Sequence, residues 1–221
     1  MIKGILFDFM GTTAIETRPE TIHQCFLQAF VKYGVPVTDA FIRSNRGRDK
    51  KEVIASGLDY YTMPLDLAPW ILESLNEALL ENLDSFESNE GAIELFEFLR
   101  SNEIRLGLGS GFPRDIFELI FKQLHWQSEW FDFIGIAEET GRGRPHPDMI
   151  FSMMKQFNLS KEHFLKVGDT VADIMEGKNA GVKTVAILSG TQGLEEINSY
   201  FPDFTIQKLE ELKEIVVHQT A

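Results

Sequence analysis

Side chains able to do chemistry follow three short apolar runs in this chain. Asp8 follows residues 5–7, and Ser110 and Asp169 each follow a later apolar run that ends in glycine. An unbroken apolar run of this length is typical of a strand buried on both faces. Because open parallel sheets bind ligands at the carboxyl ends of their strands, we expect these side chains to share one crevice. Asp8 alone could equally cap a turn, but the other two strand ends favour a functional site.

The residue types around these strand ends suit a phosphoryl group. Ser110 lies between Gly109 and Gly111 and can offer its hydroxyl and bare backbone N–H groups to a phosphoryl oxygen. In the first turn, Gly11 permits the close backbone approach that a bound anion needs, and Thr12 adds a hydroxyl. We therefore expect Gly11, Thr12 and Gly111 to bind substrate.

The same crevice would collect both carboxylates and cations. Asp173 follows Asp169 by four residues, and carboxylates gathered in one crevice repel each other unless a cation such as Mg²⁺ joins them. Arg144, in G-R-P-H-P-D, supplies a planar cation that suits phosphate. Arg114 either reaches a phosphate or begins its helix, and the sequence leaves both interpretations open.

Most of the chain alternates between helical and strand patterns. After residue 86, helical patterns cover 92–100, 115–124, 148–157, 173–180, 194–200 and 208–217, and strand patterns cover 104–109, 133–137, 164–168, 184–188 and 204–206. Such alternation predicts a doubly wound α/β fold, with a parallel, Rossmann-like sheet between helices. Residues 15–86 show helical patterns and no convincing strand. We therefore expect an α/β core of residues 1–14 and 87–221, with a helical cap of residues 15–86 inserted after the first strand.

Composition narrows the classes of partner. The 221 residues carry a formal net charge of −13, which argues against nucleic acid or an anionic membrane surface but not against a small anionic substrate. The single cysteine, Cys25, cannot form an internal disulfide, which favours a reducing cytoplasm. We expect no signal peptide, no membrane span and no zinc site, and either a monomer or a homodimer.

Four stretches together resemble a known family. D-F-M-G-T-T, G-S-G-F-P-R, G-R-P-H-P-D-M-I and V-G-D-T-V-A-D, in this order, are similar to the four motifs of the haloacid dehalogenase superfamily of hydrolases. The resemblance covers the whole expected core, and the cap lies where that superfamily carries helical caps. It implies that Asp8 is a nucleophile that forms an aspartyl-phosphate.

The resemblance also implies roles for the other strand-end residues. Asp8, the backbone carbonyl of Met10 and Asp169 would hold Mg²⁺, with Asp173 either as a further ligand or in a supporting position. Ser110 and Arg144 would orient the phosphoryl group and neutralise its charge.

Met10 departs from the pattern of the superfamily's phosphatases. Those enzymes carry a second Asp at this position as general acid and base, and losing such a group typically removes about 10²–10⁴ in rate. The phosphonoacetaldehyde hydrolases, or phosphonatases, lack that Asp, have Gly-Thr next, and carry Arg in the third motif. Met10-Gly11-Thr12 and Arg144 resemble this branch.

The phosphonatase cap supplies a lysine that forms an imine with the substrate aldehyde, in a Gly-x-x-Lys setting. Gly47-Arg48-Asp49-Lys50 resembles this setting, and Lys50 would be the imine-forming residue. Five of the 21 basic residues lie between positions 43 and 51. Neighbouring cations lower a lysine pKa, and Arg46 could also bind the substrate. Against full identity, Arg46 and Val53 stand where the branch has Met and His, and the cap is short.

Alternative functions stay open at this point. One is a phosphomonoesterase of the same superfamily that works without the second Asp. Another is a non-catalytic phosphate-binding relative. A dehalogenase also lacks the second Asp but needs no metal, so the retained Asp169 and Asp173 argue against it.

Overall fold

A six-stranded parallel sheet forms the centre of the molecule. The computed structural model describes residues 1–218. The strands of the molecule within this range, which include two outside the main sheet, are β1 (Gly4–Asp8), β2 (Ala14–Glu16), β3 (Phe86–Ser88), β4 (Arg105–Ser110), β5 (Phe133–Ile136), β6 (Phe164–Gly168), β7 (Lys183–Ile187) and β8 (Phe204–Ile206). The main sheet has the order β5-β4-β1-β6-β7-β8, with every neighbouring pair parallel. The predicted doubly wound fold is confirmed.

Eleven α-helices are described within residues 1–218. They are α1 (Thr21–Lys32), α2 (Asp39–Ser44), α3 (Lys50–Tyr60), α4 (Ala68–Leu80), α5 (Ala92–Ser101), α6 (Arg114–Gln123), α7 (Ala137–Thr140), α8 (Asp148–Phe157), α9 (Val171–Ala180), α10 (Leu194–Asn198) and α11 (Leu212–His218). Thr38 and Thr170 cap α2 and α9 by accepting hydrogen bonds from backbone N–H groups, as their positions before a helix favour. None of these helices combines the length and the apolar character needed to cross a bilayer.

Strand β1 lies between β4 and β6, and both of its faces are covered. All five of its residues are buried. Phe7 packs edge-on against Phe96 of α5, with ring centroids 6.0 Å apart, whereas Leu6 belongs to a second apolar cluster with Met149 of α8. Asp8 is the last residue of β1 and pairs with Gly109 of β4. The candidate nucleophile and the Gly-Ser-Gly turn therefore lie side by side.

Helices α1 to α4 pack together over the carboxyl ends of the core strands. The expectation of helices alone in residues 15–86 was wrong at its edges, because β2 and β3 pair antiparallel at the two crossings between core and cap. Each strand has only three residues, too few to show an alternating pattern in the sequence. The proposed domain boundaries at 14/15 and 86/87 stay a prediction.

Candidate active site

Asp8 is held at the end of β1 by contacts on both sides. Its side chain is buried, and Oδ1 accepts a short hydrogen bond from Nη1 of Arg144. Thr13 Oγ1 donates to the main-chain oxygen of Asp8 at 3.0 Å and so fixes the turn that follows. Burial raises the pKa of Asp8 above its ordinary value, although Arg144 opposes that rise.

Asp169 directly follows β6, the parallel neighbour of β1, and its carboxylate lies close to that of Asp8. Thr12 Oγ1 donates to Asp169 Oδ1 at 3.0 Å. Gly11 and Gly190 close around the other oxygen, since a Cβ atom on either would lie 2.2 or 1.8 Å from Asp169 Oδ2. Burial, with the charges of Asp8 and Asp173, raises the pKa of Asp169 well above its usual range.

A buried ion network supports these carboxylates. Arg144 Nη1 lies 2.8 Å from Asp173 Oδ1, and Lys166 Nζ lies 2.8 Å from the same oxygen and 3.2 Å from Glu176. Asp173 Oδ2 also accepts from Thr170 Oγ1 at 2.5 Å. Although burial opposes it, Lys166 and Arg144 lower the pKa of Asp173. Both oxygens of Asp173 therefore already have partners within the protein.

Sequence reasoning missed Lys166 and Glu176. Lys166 is fully buried in the middle of β6 and Glu176 is almost fully buried on α9. A lysine inside the apolar strand F-L-K-V-G was a usable signal, because lysine is almost never fully buried unless it is paired. Its partner on the following helix could not be read from the sequence, since that pairing depends on how α9 packs.

The donor set fits a hard divalent cation. Asp8, Asp169 and Asp173 each place a carboxylate oxygen within 4.8 Å of the others, and all three residues are buried. Among residues 1–218, the buried cations that face these carboxylates and Glu176 are Arg144 and Lys166. A divalent cation would balance these charges and relieve the repulsion that raises the pKa of Asp169. Oxygen-only donors are those that Mg²⁺ prefers.

The Gly-Ser-Gly turn lies where the cap meets the core. Ser110 is buried, and its Oγ accepts a hydrogen bond from the N–H of Phe112 at 3.0 Å. The main-chain N–H of Lys50 donates to the carbonyl oxygen of Gly111 at 3.0 Å. A Cβ atom on Gly111 would lie 2.7 Å from the carbonyl oxygen of Arg48. Glycine at this position therefore permits a close approach by the cap.

Lys50 projects from the first turn of α3 into the same cavity as Asp8. Its Nζ lies 4.3 Å from the centre of the Phe112 ring. Burial, followed by the nearby Arg144 charge, lowers the pKa of Lys50 to about 8. Because of this lowered pKa, a large fraction of Lys50 would be neutral in mildly alkaline solution. Asp49 fixes the start of α3, because its side chain accepts from the Glu52 N–H at 2.9 Å.

A cavity of about 330 Å³ lies between cap and core. Of the predicted site residues, those that line it are Asp8, Met10, Gly11, Arg46, Lys50, Ser110, Gly111, Arg144 and Asp169. Glu16 and His23 also line the cavity and were not anticipated, because nothing in the sequence marks which face of β2 or α1 turns inward. Arg46 Nη2 donates to Glu20 at 2.8 Å at the cavity wall.

Three predicted site residues lie outside the cavity lining. Arg114 pairs its Nε with Glu139 at 2.8 Å on the exterior, so of its two open interpretations the geometry favours a helix start over a substrate contact. Thr12 is fully buried and bonds to Asp169, so it supports a carboxylate instead of contacting substrate. Asp173 accepts from Arg144 Nη1 at 2.8 Å, and this contact favours the supporting position over that of a metal ligand, which stays a prediction.

Comparison with known proteins assigns the class. The family model described as haloacid dehalogenase-like hydrolase matches residues 5–187. A protein named phosphonoacetaldehyde hydrolase from Bacillus cereus (strain G9842) is 27% identical over 98% of this chain and 96% of its own length. A second protein of that name, from Bacillus cytotoxicus, is 25% identical over 97% of this chain and 86% of its own length.

Solved structures agree on the fold. A hydrolase from Pseudomonas syringae has a TM-score of 0.85 and 18% identity, covering 96% of this chain and 99% of its own. A predicted phosphoglycolate phosphatase from Haemophilus somnus 129pt has a TM-score of 0.81 and 18% identity, covering 97% of this chain and 98% of its own.

The chain belongs to the haloacid dehalogenase-like hydrolases. The resemblance read from the four motifs is confirmed, and the curated relatives agree with its phosphonatase-like branch.

Proposed function

We propose that this hydrolase is Mg²⁺-dependent and cleaves the carbon–phosphorus bond of a small phosphonate aldehyde, with phosphonoacetaldehyde as the best candidate. The observation that carries the proposal is the position of Lys50, whose lowered pKa suits imine formation and which lines the same cavity as Asp8. The curated relatives named phosphonoacetaldehyde hydrolase support the choice of substrate.

In this mechanism Lys50 and Asp8 form the covalent bonds to the substrate. Neutral Lys50 attacks the aldehyde carbon, water leaves, and the resulting iminium ion accepts the electron pair of the breaking carbon–phosphorus bond. The phosphoryl group passes to a carboxylate oxygen of Asp8. Water then hydrolyses the aspartyl-phosphate to phosphate. The neutral enamine gains a proton at its terminal carbon, and water hydrolyses the resulting iminium ion to acetaldehyde and free Lys50.

Fixed groups around Asp8 position the phosphoryl group. Arg144 directs a planar guanidinium at the nucleophile, and Ser110 offers its hydroxyl from the neighbouring strand end. Mg²⁺, held by Asp8, Asp169 and the Met10 carbonyl and supported by Asp173, would supply positive charge against the phosphoryl oxygens. Met10 lines the cavity but cannot transfer a proton, which disfavours ordinary phosphoester hydrolysis.

The test is release of acetaldehyde and phosphate from phosphonoacetaldehyde with Mg²⁺. We expect Asp8→Asn and Lys50→Ala to abolish release. Lys51→Ala is the matched control, since Lys51 is the next residue and pairs with Glu138 on the exterior. Hydrolysis of phosphate monoesters that survives Lys50→Ala would favour the phosphomonoesterase, and Mg²⁺-dependent binding without turnover would favour a phosphate-binding protein.

A further inference from the structure

Imine chemistry needs a proton donor as well as an amine. The carbinolamine oxygen must leave as water, and the enamine carbon must gain a proton after the carbon–phosphorus bond breaks. Met10 has no proton to give, and Val53 on α3 has none either. Another titratable side chain of the cavity is therefore the candidate donor.

Most ionisable groups of the cavity are already engaged. Asp8 pairs with Arg144, and Asp8 and Asp169 both face the expected metal. Although burial opposes it, hydrogen bonds and charges from Arg46 and Arg43 lower the pKa of Glu20. The arginines stay charged at any working pH. A bound metal would hold Asp8 and Asp169 as carboxylates, and neither Glu20 nor the arginines can serve as a proton donor near neutral pH.

His23 is also held in place inside the cap. Its Nε2 lies 2.6 Å from Asp39, and its Nδ1 lies 3.7 Å from Glu20. The side chain is only 2% exposed and its Nδ1 makes no hydrogen bond. The charges that act most on Lys50 include those of Asp8, Asp49 and Glu16 but not that of His23.

Glu16 remains, and we propose that it is the general acid and base that serves Lys50. This inference rests on the proposed imine mechanism. Glu16 ends β2, lines the cavity, and interacts electrostatically with Lys50. One carboxylate oxygen, Oε1, accepts from the Ile22 N–H at 2.6 Å, which anchors the group while the carboxyl remains able to carry a proton.

The charge environment of Glu16 suits this role. Burial raises the pKa of Glu16, opposed by the Ile22 N–H and by Arg46. The remaining charged or titratable groups that interact with it are Glu20, Lys50 and the thiol of Cys25. A carboxyl whose pKa is raised toward neutrality donates and accepts protons more readily at working pH.

The proton balance is simple. Protonated Glu16 gives its proton to the carbinolamine hydroxyl as the carbon–oxygen bond breaks, and water leaves. The iminium ion forms on Lys50 and Glu16 becomes a carboxylate. After the phosphoryl group has passed to Asp8, the Glu16 carboxylate takes a proton from water and delivers it to the terminal carbon of the enamine, which becomes the iminium ion that water hydrolyses.

Glu16→Gln separates this role from a structural one. Glutamine keeps an oxygen that can accept from Ile22 but carries no acidic proton. We expect kcat for acetaldehyde release to fall by about 10²–10⁴ with the fold intact, and the limb of the pH profile that reports Glu16 to disappear. Glu87→Gln is the matched control, because Glu87 lies on the paired strand β3 and is exposed.

Three results would contradict the proposed role of Glu16. Full activity with an unchanged pH profile in Glu16→Gln, beside an active wild type, would overturn the role of Glu16 alone. If wild-type protein releases no acetaldehyde, the imine mechanism and this proposal fail together. A loss of activity reproduced by Glu87→Gln would show that the β2–β3 pair, not the Glu16 proton, is what matters.

Discussion

The main-chain N–H of Lys50 donates a hydrogen bond to the carbonyl oxygen of Gly111 at 3.0 Å. This contact joins the proposed imine-forming residue of the cap to the turn that carries Ser110 in the core. The Glu52 side chain adds a second bond to the core, accepting from the Gly143 N–H at 3.0 Å. The position of the Lys50 amine relative to Asp8 therefore depends on the cap lying closed against this turn.

Gly111→Ala tests that dependence. The added Cβ would lie 2.7 Å from the carbonyl oxygen of Arg48, which is backbone and cannot move aside without shifting the cap. We expect kcat/KM to fall by about 10²-fold, as a misplacement of roughly 1 Å can cause. Gly193→Ala is the control, since no atom lies within 4 Å of its added Cβ. Unchanged kcat/KM in Gly111→Ala would contradict the need for this close approach.

Lys166→Met tests the buried network. Removing this cation leaves Asp173 and Glu176 with only Arg144 for compensation, and breaking a buried pair in this way typically costs about 3–5 kcal/mol. We expect the free energy of unfolding, measured in urea, to fall by that amount. The double variant Lys166→Met/Glu176→Gln should recover part of the loss, because it removes one of the two carboxylates that had lost their ion pair with Lys166. A single variant as stable as wild type would show that Lys166 contributes little.

The pH dependence of the Lys50 amine follows from its lowered pKa. Its pKa is lowered to about 8, and only the neutral amine attacks an aldehyde. The neutral fraction rises with pH and levels off above the pKa. We therefore expect the rate at which Lys50 reacts with an amine-selective acylating reagent, a step that needs no proton from Glu16, to rise about tenfold per pH unit well below 8 and to become flat above it. A midpoint near the 10.5 of an ordinary lysine would contradict the burial of this amine.

Mg²⁺ should stabilise the fold through Asp169. A cation that binds only the folded state adds about 2.7 kcal/mol at a concentration 100 times its Kd. We expect thermal unfolding to shift upward with Mg²⁺ in wild-type protein and to shift little in Asp169→Asn. Asp203→Asn is a control, because Asp203 does not line the cavity. Its side chain accepts a hydrogen bond from the Thr184 N–H of β7. Equal Mg²⁺ shifts in wild type and Asp169→Asn would place the metal elsewhere.

The sequence predicted the core well because its signals are local. Asp8 and Asp169 each follow a buried apolar strand, and parallel strands bring such ends together whatever the details of packing. The Lys50 cavity position was anticipated from a short motif resemblance, and its role stays a proposal. By contrast, no residue near Glu16 in the sequence indicates that its side chain faces the cavity. Its inward position depends on β2 pairing with β3, about 70 residues away.

Residues with ambiguous local signals were placed only by tertiary contacts. Arg114 follows a glycine-rich turn, as a phosphate ligand would, but Glu139 lies close enough to pair with it on the exterior. Thr12 is next to Gly11, yet its hydroxyl turns inward to Asp169. Neither Glu139 nor the direction of the Thr12 side chain could be read from the residues near them in sequence.

The most direct test of the central claim is borohydride trapping with phosphonoacetaldehyde and Mg²⁺, followed by peptide mass mapping. The proposed mechanism predicts a reduced adduct on Lys50, none on Lys51, and loss of the adduct in Lys50→Ala. Phosphate and acetaldehyde should appear in untrapped samples of the same protein. Turnover of phosphonoacetaldehyde without any adduct on Lys50 would contradict the imine mechanism.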